Sequence, residues 1–189
     1  MIPGSRIALM KSNAPAHNYA TWDPANKGAT AVLSNGNLTW SVVSVGSTSG
    51  VKGTLYKDAG KHYWEIVPDH VNVEIGIAIA SAGFTGYGEG TGWATWFGGG
   101  GIYGTLANGS NPGTWTAGDV IGCALDMSAG TFKVNKNNGA WTTLASSLSV
   151  PIYPAISSGS SGAYSAVVNF GATALAYAPP SGHNAGFYL

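Results

Sequence analysis

GDVIGCALDMSAGTFKVNKNNGAW, residues 118–141, is the stretch that decides the fold class. Apolar side chains alternate with small ones over 121–125, a polar turn follows, and the alternation returns at Phe132 and Val134. Because successive side chains of a strand point to opposite faces, each run offers one face to a core. Asn138-Gly139 is typical of a tight turn and leads into residues 140–144. The stretch therefore predicts a β-hairpin followed by a second turn and a further strand.

The period of two recurs along the chain. In VNVEIGIAIA, residues 71–80, every valine and isoleucine falls on one face of a strand. Asn35-Gly36 separates AVLS from NLTW and predicts another hairpin, and Asn108-Gly109 marks a further turn. No twelve-residue window combines a 3.6-residue period with helix caps, and Glu, Lys, Arg and Leu are few. We therefore predict an all-β chain, with two packed antiparallel sheets.

Composition limits the classes of partner. The 189 residues suit one domain. Only 8% are charged, against about 25% in an average globular domain, and eight basic residues balance eight acidic ones. Without a basic patch we expect no nucleic-acid partner and no anionic membrane partner. Cys123 is the single cysteine, which excludes an intrachain disulfide, and the first twenty residues lack the apolar core of a signal peptide. We expect synthesis in a reducing cytoplasm.

Six further motifs occur in a fixed order around the opening stretch. They are WDPANKG (22–28), GKHYWEI (60–66), EIGIAIA (74–80), PIYPAIS (151–157), VNFG (168–171) and GFYL (186–189). This series resembles the SPRY domain, called B30.2 in its longer form. The resemblance implies a bent antiparallel β-sandwich of the concanavalin-like jelly-roll type. It also implies that residues 118–141 are scaffold, with Asp126 at the turn and Trp141 closing the following strand.

The resemblance implies a function as well. SPRY domains generally are not enzymes, need no cofactor, and bind proteins or peptides through loops at one end of the sandwich. The compact segment at residues 22–40 resembles stand-alone SPRY proteins of bacteriophages, so we expect a non-enzymatic virion protein, in a capsid decoration or a tail fibre. Its partner would be a virion subunit or a host-surface receptor. A homo-oligomer, by analogy a trimer, is a candidate assembly. A lectin-like protein that binds host glycan and an intracellular SPRY adaptor are the alternative functions.

One aromatic tract holds the candidate binding residues. Between Thr85 and Tyr103, bulky rings alternate with glycines, which permit unusual backbone shapes. Trp93 and Trp96 lie three apart, so in a strand they point to opposite faces, and at most one of them enters the core. The other would be exposed or covered by a loop. The rings either serve the core or contact a partner protein or a sugar. The predicted partner-binding residues are Tyr87, Trp93, Trp96, Phe97 and Tyr103. Trp22, Trp40, Trp64 and Trp141 are predicted core residues.

The remaining candidate sites in the sequence are a catalytic carboxylate pair, metal ligands, a phosphate loop and a reactive cysteine. Glu65 and Glu74 fall on adjacent predicted strands and form the best carboxylate pair for a glycosidase. The four histidines have no metal-ligand spacing, so no metal is expected. GYGEGTG, residues 86–92, lacks the Lys-Ser/Thr ending and the helix of a phosphate loop. Cys123 lies on the apolar side of its predicted strand and is expected to be a buried packing residue.

Residues 1–20 show little pattern. We divide the chain into an N-terminal arm, residues 1–20, and a β-sandwich domain, residues 21–189. The arm is either a disordered tail or a strand that docks on a neighbouring subunit.

Overall fold

The computed structural model describes residues 17–43, 49–84, 90–159 and 162–189. Within these ranges the regular structure is entirely β, and no helix is present that could cross a membrane. The strands are β1 (Trp22–Lys27), β2 (Ala31–Ser34), β3 (Thr39–Val42), β4 (Val51–Gly53), β5 (Lys61–Pro68), β6 (Val73–Ile79), β7 (Trp93–Phe97), β8 (Ile102–Tyr103), β9 (Ile121–Asp126), β10 (Thr131–Lys136), β11 (Thr142–Ala145), β12 (Ile152–Ser158), β13 (Tyr164–Asn169) and β14 (Asn184–Ala185).

The strands form two sheets that pack as a sandwich. The smaller sheet has the order β1-β4-β12-β6-β7-β8, and the larger has the order β11-β10-β9-β5-β13-β3-β2. All these pairings are antiparallel, while β14 adds to the side of β5 in parallel. The predicted all-β antiparallel sandwich is confirmed.

The core lies between the inward faces of the two sheets. β6 supplies Val73, Ile75 and Ile77, and β9 supplies Ile121 and Leu125; all five are fully buried. Burial of apolar surface is the main driving force here, since charged side chains are scarce. Trp22, Trp40 and Trp64 are likewise fully buried, as predicted.

The predicted hairpin of residues 118–141 is present. β9 and β10 pair from Asp126 opposite Thr131 to Ile121 opposite Lys136. The Asp126 carboxylate accepts hydrogen bonds at 3.0 Å from the backbone N–H groups of Ser128 and Ala129, which fixes the turn.

The second turn of this stretch also forms. It places Asn137 and Asn138 at positive φ, in the left-handed region that asparagine tolerates, and it leads into β11. Trp141 corrects one prediction. It precedes β11 and is partly exposed on the outer face of the larger sheet, so it is not a core residue.

The two ends of the described chain meet. Tyr19 forms a β-bridge with Tyr188, and the backbone N–H of Leu189 donates to the carbonyl of Asn18 at 3.1 Å. His17 stacks on Tyr188 with ring centroids 3.8 Å apart. Residues 17–20 of the predicted arm therefore lie against the C-terminal residues, while residues 1–16 fall outside the described ranges.

Candidate interaction site

Three of the predicted partner-binding residues, Trp93, Phe97 and Tyr103, map to the outer face of the smaller sheet. Because side chains alternate along a strand, β6 turns Glu74, Gly76 and Ala78 outward when its valine and isoleucines face the core. Its neighbour β7 turns Trp93, Thr95 and Phe97 outward in the same way, and Tyr103 on β8 pairs with Thr95.

Phe97 and Tyr103 form a partly exposed aromatic pair on this face. Their ring centroids lie 6.1 Å apart with an interplanar angle of 63°. Two glycines let the Phe97 ring lie close to the backbone: a Cβ atom at Gly99 or at Gly159 would lie 2.5 Å from a ring carbon. Within the tract, Gly99 and Gly101 thus leave room for the rings of Phe97 and Tyr103.

A buried polar pair lies beside the aromatic pair. Thr95 Oγ1 donates a hydrogen bond of 3.0 Å to Glu74 Oε2, and both side chains are inaccessible to solvent. A Cβ atom at Gly159 would lie 3.1 Å from Glu74 Oε1, so the carboxylate is close to the residue that also seats Phe97. The site therefore combines two partly exposed aromatic rings with a buried carboxylate on Glu74, the cross-strand partner of Phe97.

Trp93 and Trp96 lie on β7, the strand that also carries Phe97. They point to opposite faces of β7, as predicted, and are 2% and 0% exposed. Trp96 enters the main core, where its ring contacts Trp115 at 4.5 Å and its Nε1 donates to the Gly113 carbonyl. Trp93 lies on the outer face, covered by the loop at Ala82 and Phe84, and its Nε1 donates to the Gly83 carbonyl. Neither ring offers a face on which a sugar could stack.

The remaining predicted binding residue is not described. Tyr87 lies in residues 85–89, outside the described ranges, as does most of GYGEGTG. Phe97 and Tyr103 are thus the described members of the predicted set with ring surface accessible from outside.

The structure overturns the predicted carboxylate pair. Glu65 is on β5 of the larger sheet and Glu74 is on β6 of the smaller sheet. Each points away from the core, so the whole thickness of the sandwich separates the two carboxylates. Consecutive strands in sequence are often paired, but here the chain crosses to the other sheet between them. A two-carboxylate glycosidase mechanism cannot be built from these residues.

The remaining titratable candidates are the Cys123 thiol and the possible metal ligands. Cys123 is fully buried, and burial, with a smaller contribution from Glu65, raises the pKa of its thiol well above the usual value. Within the described ranges no three His, Cys, Asp or Glu side chains are grouped closely enough to hold a metal ion.

Sequence reasoning missed Lys52. It lies on β4 of the smaller sheet and is 2% exposed. Its Nζ donates to the carbonyls of Ala80 at 2.7 Å and Ala82 at 3.0 Å, and it lies 5.2 Å from the Phe84 ring centroid. The ammonium group thereby fastens the loop that covers Trp93. A lysine in the predominantly apolar strand segment VKG would have been the signal.

A family model for the SPRY domain matches residues 61–173, more than half of the chain. The chain belongs to the SPRY family. SPRY domains are generally protein-interaction modules. The matched segment runs from β5 to just beyond β13 and includes Phe97 and Tyr103.

Solved structures agree on the fold. The SPRY domain of human HERC1 matches with a TM-score of 0.65 and 19% identity, covering 78% of this chain and 96% of that one. The TRIM65 PSpry domain matches with a TM-score of 0.62 and 15% identity, covering 80% and 93%. Stonustoxin matches with a TM-score of 0.61 and 20% identity, covering 80% of this chain and 27% of that one. No curated protein matches the SPRY chain significantly.

Proposed function

We propose that this SPRY domain binds a protein partner through the outer face of its smaller sheet, with Phe97 and Tyr103 as the anchoring side chains. The observation that carries the proposal is the exposure of this aromatic pair beside residues that are buried. Aromatic side chains on a rigid base are the typical hot spots of protein interfaces, because they bury much area at little cost in side-chain entropy.

The surroundings of the pair favour a protein over a glycan. The tryptophans that the lectin alternative required, Trp93 and Trp96, are buried. The pair is supported by β7 and β8, so its geometry is set before binding and little ordering free energy opposes association.

We further propose that the partner is a virion subunit of a bacteriophage. Support comes from the resemblance of residues 22–40 to stand-alone phage SPRY proteins and from the low charge of the chain. Immunogold electron microscopy of purified particles tests this location. Label on the capsid supports a decoration and label on the tail supports a fibre. Particles without label would contradict the virion location and favour the intracellular adaptor.

Site-specific photocrosslinking tests the binding face itself. A benzophenone amino acid is placed at Tyr103 and, as a control, at Val167, which is 45% exposed on the larger sheet. Irradiation in lysate of the producing cells, followed by mass spectrometry, is expected to give a protein adduct from position 103 that position 167 does not give. The Phe97→Ala substitution should abolish that adduct. Equal adducts from both positions, or an adduct unaffected by Phe97→Ala, would overturn the assignment of the face.

A further inference from the structure

A pocket of about 140 Å³ opens on the outer face of the larger sheet, on the opposite side of the sandwich from Phe97. Its floor exists because Ala124 on β9 is small and is flanked by longer side chains. Lys133 on β10 is its direct cross-strand partner, and Asp126 and Thr131 form the next pair on the same face of the hairpin. A depression of this kind is a direct consequence of side-chain size on a pleated surface.

The far wall of the pocket is formed by Pro180 and His183, which lie near the C-terminus, and by Trp141, which precedes β11. The segment that carries them is held to the sheet by Glu65, whose carboxylate accepts hydrogen bonds from the backbone N–H groups of Ala176 at 2.7 Å and Tyr177 at 2.8 Å.

Trp141 differs from every other tryptophan of the chain. All seven tryptophans lie in described ranges, and the other six are at most 2% exposed. Trp141 alone presents ring surface to solvent, and Tyr63 holds it edge-to-face at 6.1 Å between centroids. Together with the Pro180 ring it gives the pocket two apolar walls, which suit a short aliphatic stem.

The charges around the pocket favour an anion. The carboxylate of Asp126 is offset, because Oδ2 lies 2.9 Å from Lys61 Nζ and Oδ1 accepts two backbone N–H groups. Lys133 makes no ion pair within the described ranges, and its side chain lines the pocket. His183 adds an imidazole ring, whose Nδ1 lies 3.5 Å from the Ser181 carbonyl oxygen, and Thr131 adds a hydroxyl. The positive charge of Lys133 is therefore the charge at the pocket that has no ion-pair partner among the described residues.

We propose that this pocket binds the side chain of an acidic residue, Glu or Asp, on a partner peptide. Its methylene groups would pack between Trp141 and Pro180, and its carboxylate would accept a hydrogen bond from Lys133. The volume is below the roughly 300 Å³ at which sites for drug-sized ligands begin, and it suits a single side chain. This pocket and the Phe97 face are on different sheets, so either proposal can be refuted without affecting the other.

Titration followed by the indole ¹H–¹⁵N signals tests the proposal. The Trp141 signal is assigned by its loss in Trp141→Phe, and the six buried indoles report that each variant is folded. The probe is N-acetylglutamate amide, which has one side-chain carboxylate, and the neutral control is N-acetylglutamine amide. We expect a saturable shift of the Trp141 signal with the first compound only, and a Kd raised about three- to five-fold by Lys133→Met, the effect of a partly exposed ion pair.

Lys136→Met is the matched control variant. Lys136 is on the same strand, but its Nζ donates to the Thr114 carbonyl, so its substitution should leave the Kd unchanged. A shift of equal size with the glutamine compound, or a Kd insensitive to Lys133→Met, would overturn the proposal. Saturable binding of glucuronate without binding of the glutamate compound would also overturn it, since the ligand would then be an acidic sugar.

Discussion

Glu65 Oε2 lies 2.7 Å from the backbone nitrogen of Ala176, so a buried carboxylate on β5 holds a segment 111 residues further along the chain. The other oxygen accepts from Tyr177 N–H and from the Tyr63 hydroxyl, both at 2.8 Å. With three donors, the carboxylate is compensated for its loss of water.

Glu65→Gln should loosen this segment. One acceptor oxygen is replaced by an NH₂ group that faces a donor, and we expect a loss of about 1–3 kcal/mol in the free energy of unfolding. Hydrogen exchange of the Ala176 and Tyr177 amides should accelerate more than exchange in β9. Tyr63→Phe removes one donor and keeps the carboxylate, so it should cost about 0.5–1.5 kcal/mol and leave these two amides protected. Unchanged exchange in Glu65→Gln would contradict the clamp.

Gly76→Ala should be among the most damaging single substitutions. A Cβ atom at this position on β6 would lie 1.9 Å from the carbonyl oxygen of Ala94 on β7, and backbone atoms cannot move aside as a side chain can. We expect destabilisation by about 3 kcal/mol or more, measured by urea denaturation. Gly90→Ala is the control, because its Cβ would meet the nearest atom of Trp93 at 3.7 Å and should change stability little.

Lys52→Met should release the loop over Trp93. The substitution keeps the aliphatic stem but removes the donor to Ala80 and Ala82, and we expect a loss of about 1–3 kcal/mol. Lys136→Met, at an exposed position with one carbonyl acceptor, should change stability by less than about 0.5 kcal/mol. Equal thermal midpoints for the two variants would show that the hydrogen bonds from Lys52 to Ala80 and Ala82 do not stabilise the fold.

Acidification should destabilise the domain through His62. Burial lowers the pKa of this imidazole below 6.5, partly opposed by its hydrogen bond to the Ala59 carbonyl. Since the unfolded chain binds the proton more readily, the stabilisation is complete above pH 6.5, falls as the pH drops through 6.5, and levels off below the folded-state pKa. Urea midpoints between pH 8 and pH 5 should decline less steeply in His62→Gln. Parallel curves for the two proteins would refute the role of His62.

The hairpins were predictable from local signals. Asn35 and Gly36 have positive φ in the first turn, as predicted, whereas in the second turn the positive φ values are at Asn137 and Asn138. The alternation at residues 121–125 marks the core face of β9. These features depend on residues close in sequence, so they can be predicted without knowledge of the tertiary structure.

Sheet membership was not predictable in the same way. β5 and β6 have similar alternation whether they pair or lie in opposite sheets, and only the packing of the whole chain decides. The error at Glu65 and Glu74 follows from this. Trp141 was misassigned for a related reason: a tryptophan next to a strand is usually buried, and only the distant Pro180 and His183 turn its surroundings into a pocket.

The meeting of Tyr19 with Tyr188 has a consequence for protein architecture. The first and last described residues lie side by side, so the chain enters and leaves the described domain on the same side. Such a module can be spliced into a surface loop of another protein without stretching that loop. We also expect it to tolerate circular permutation, with new ends opened at the exposed Asn137-Asn138 turn and the pairing of the described strands retained.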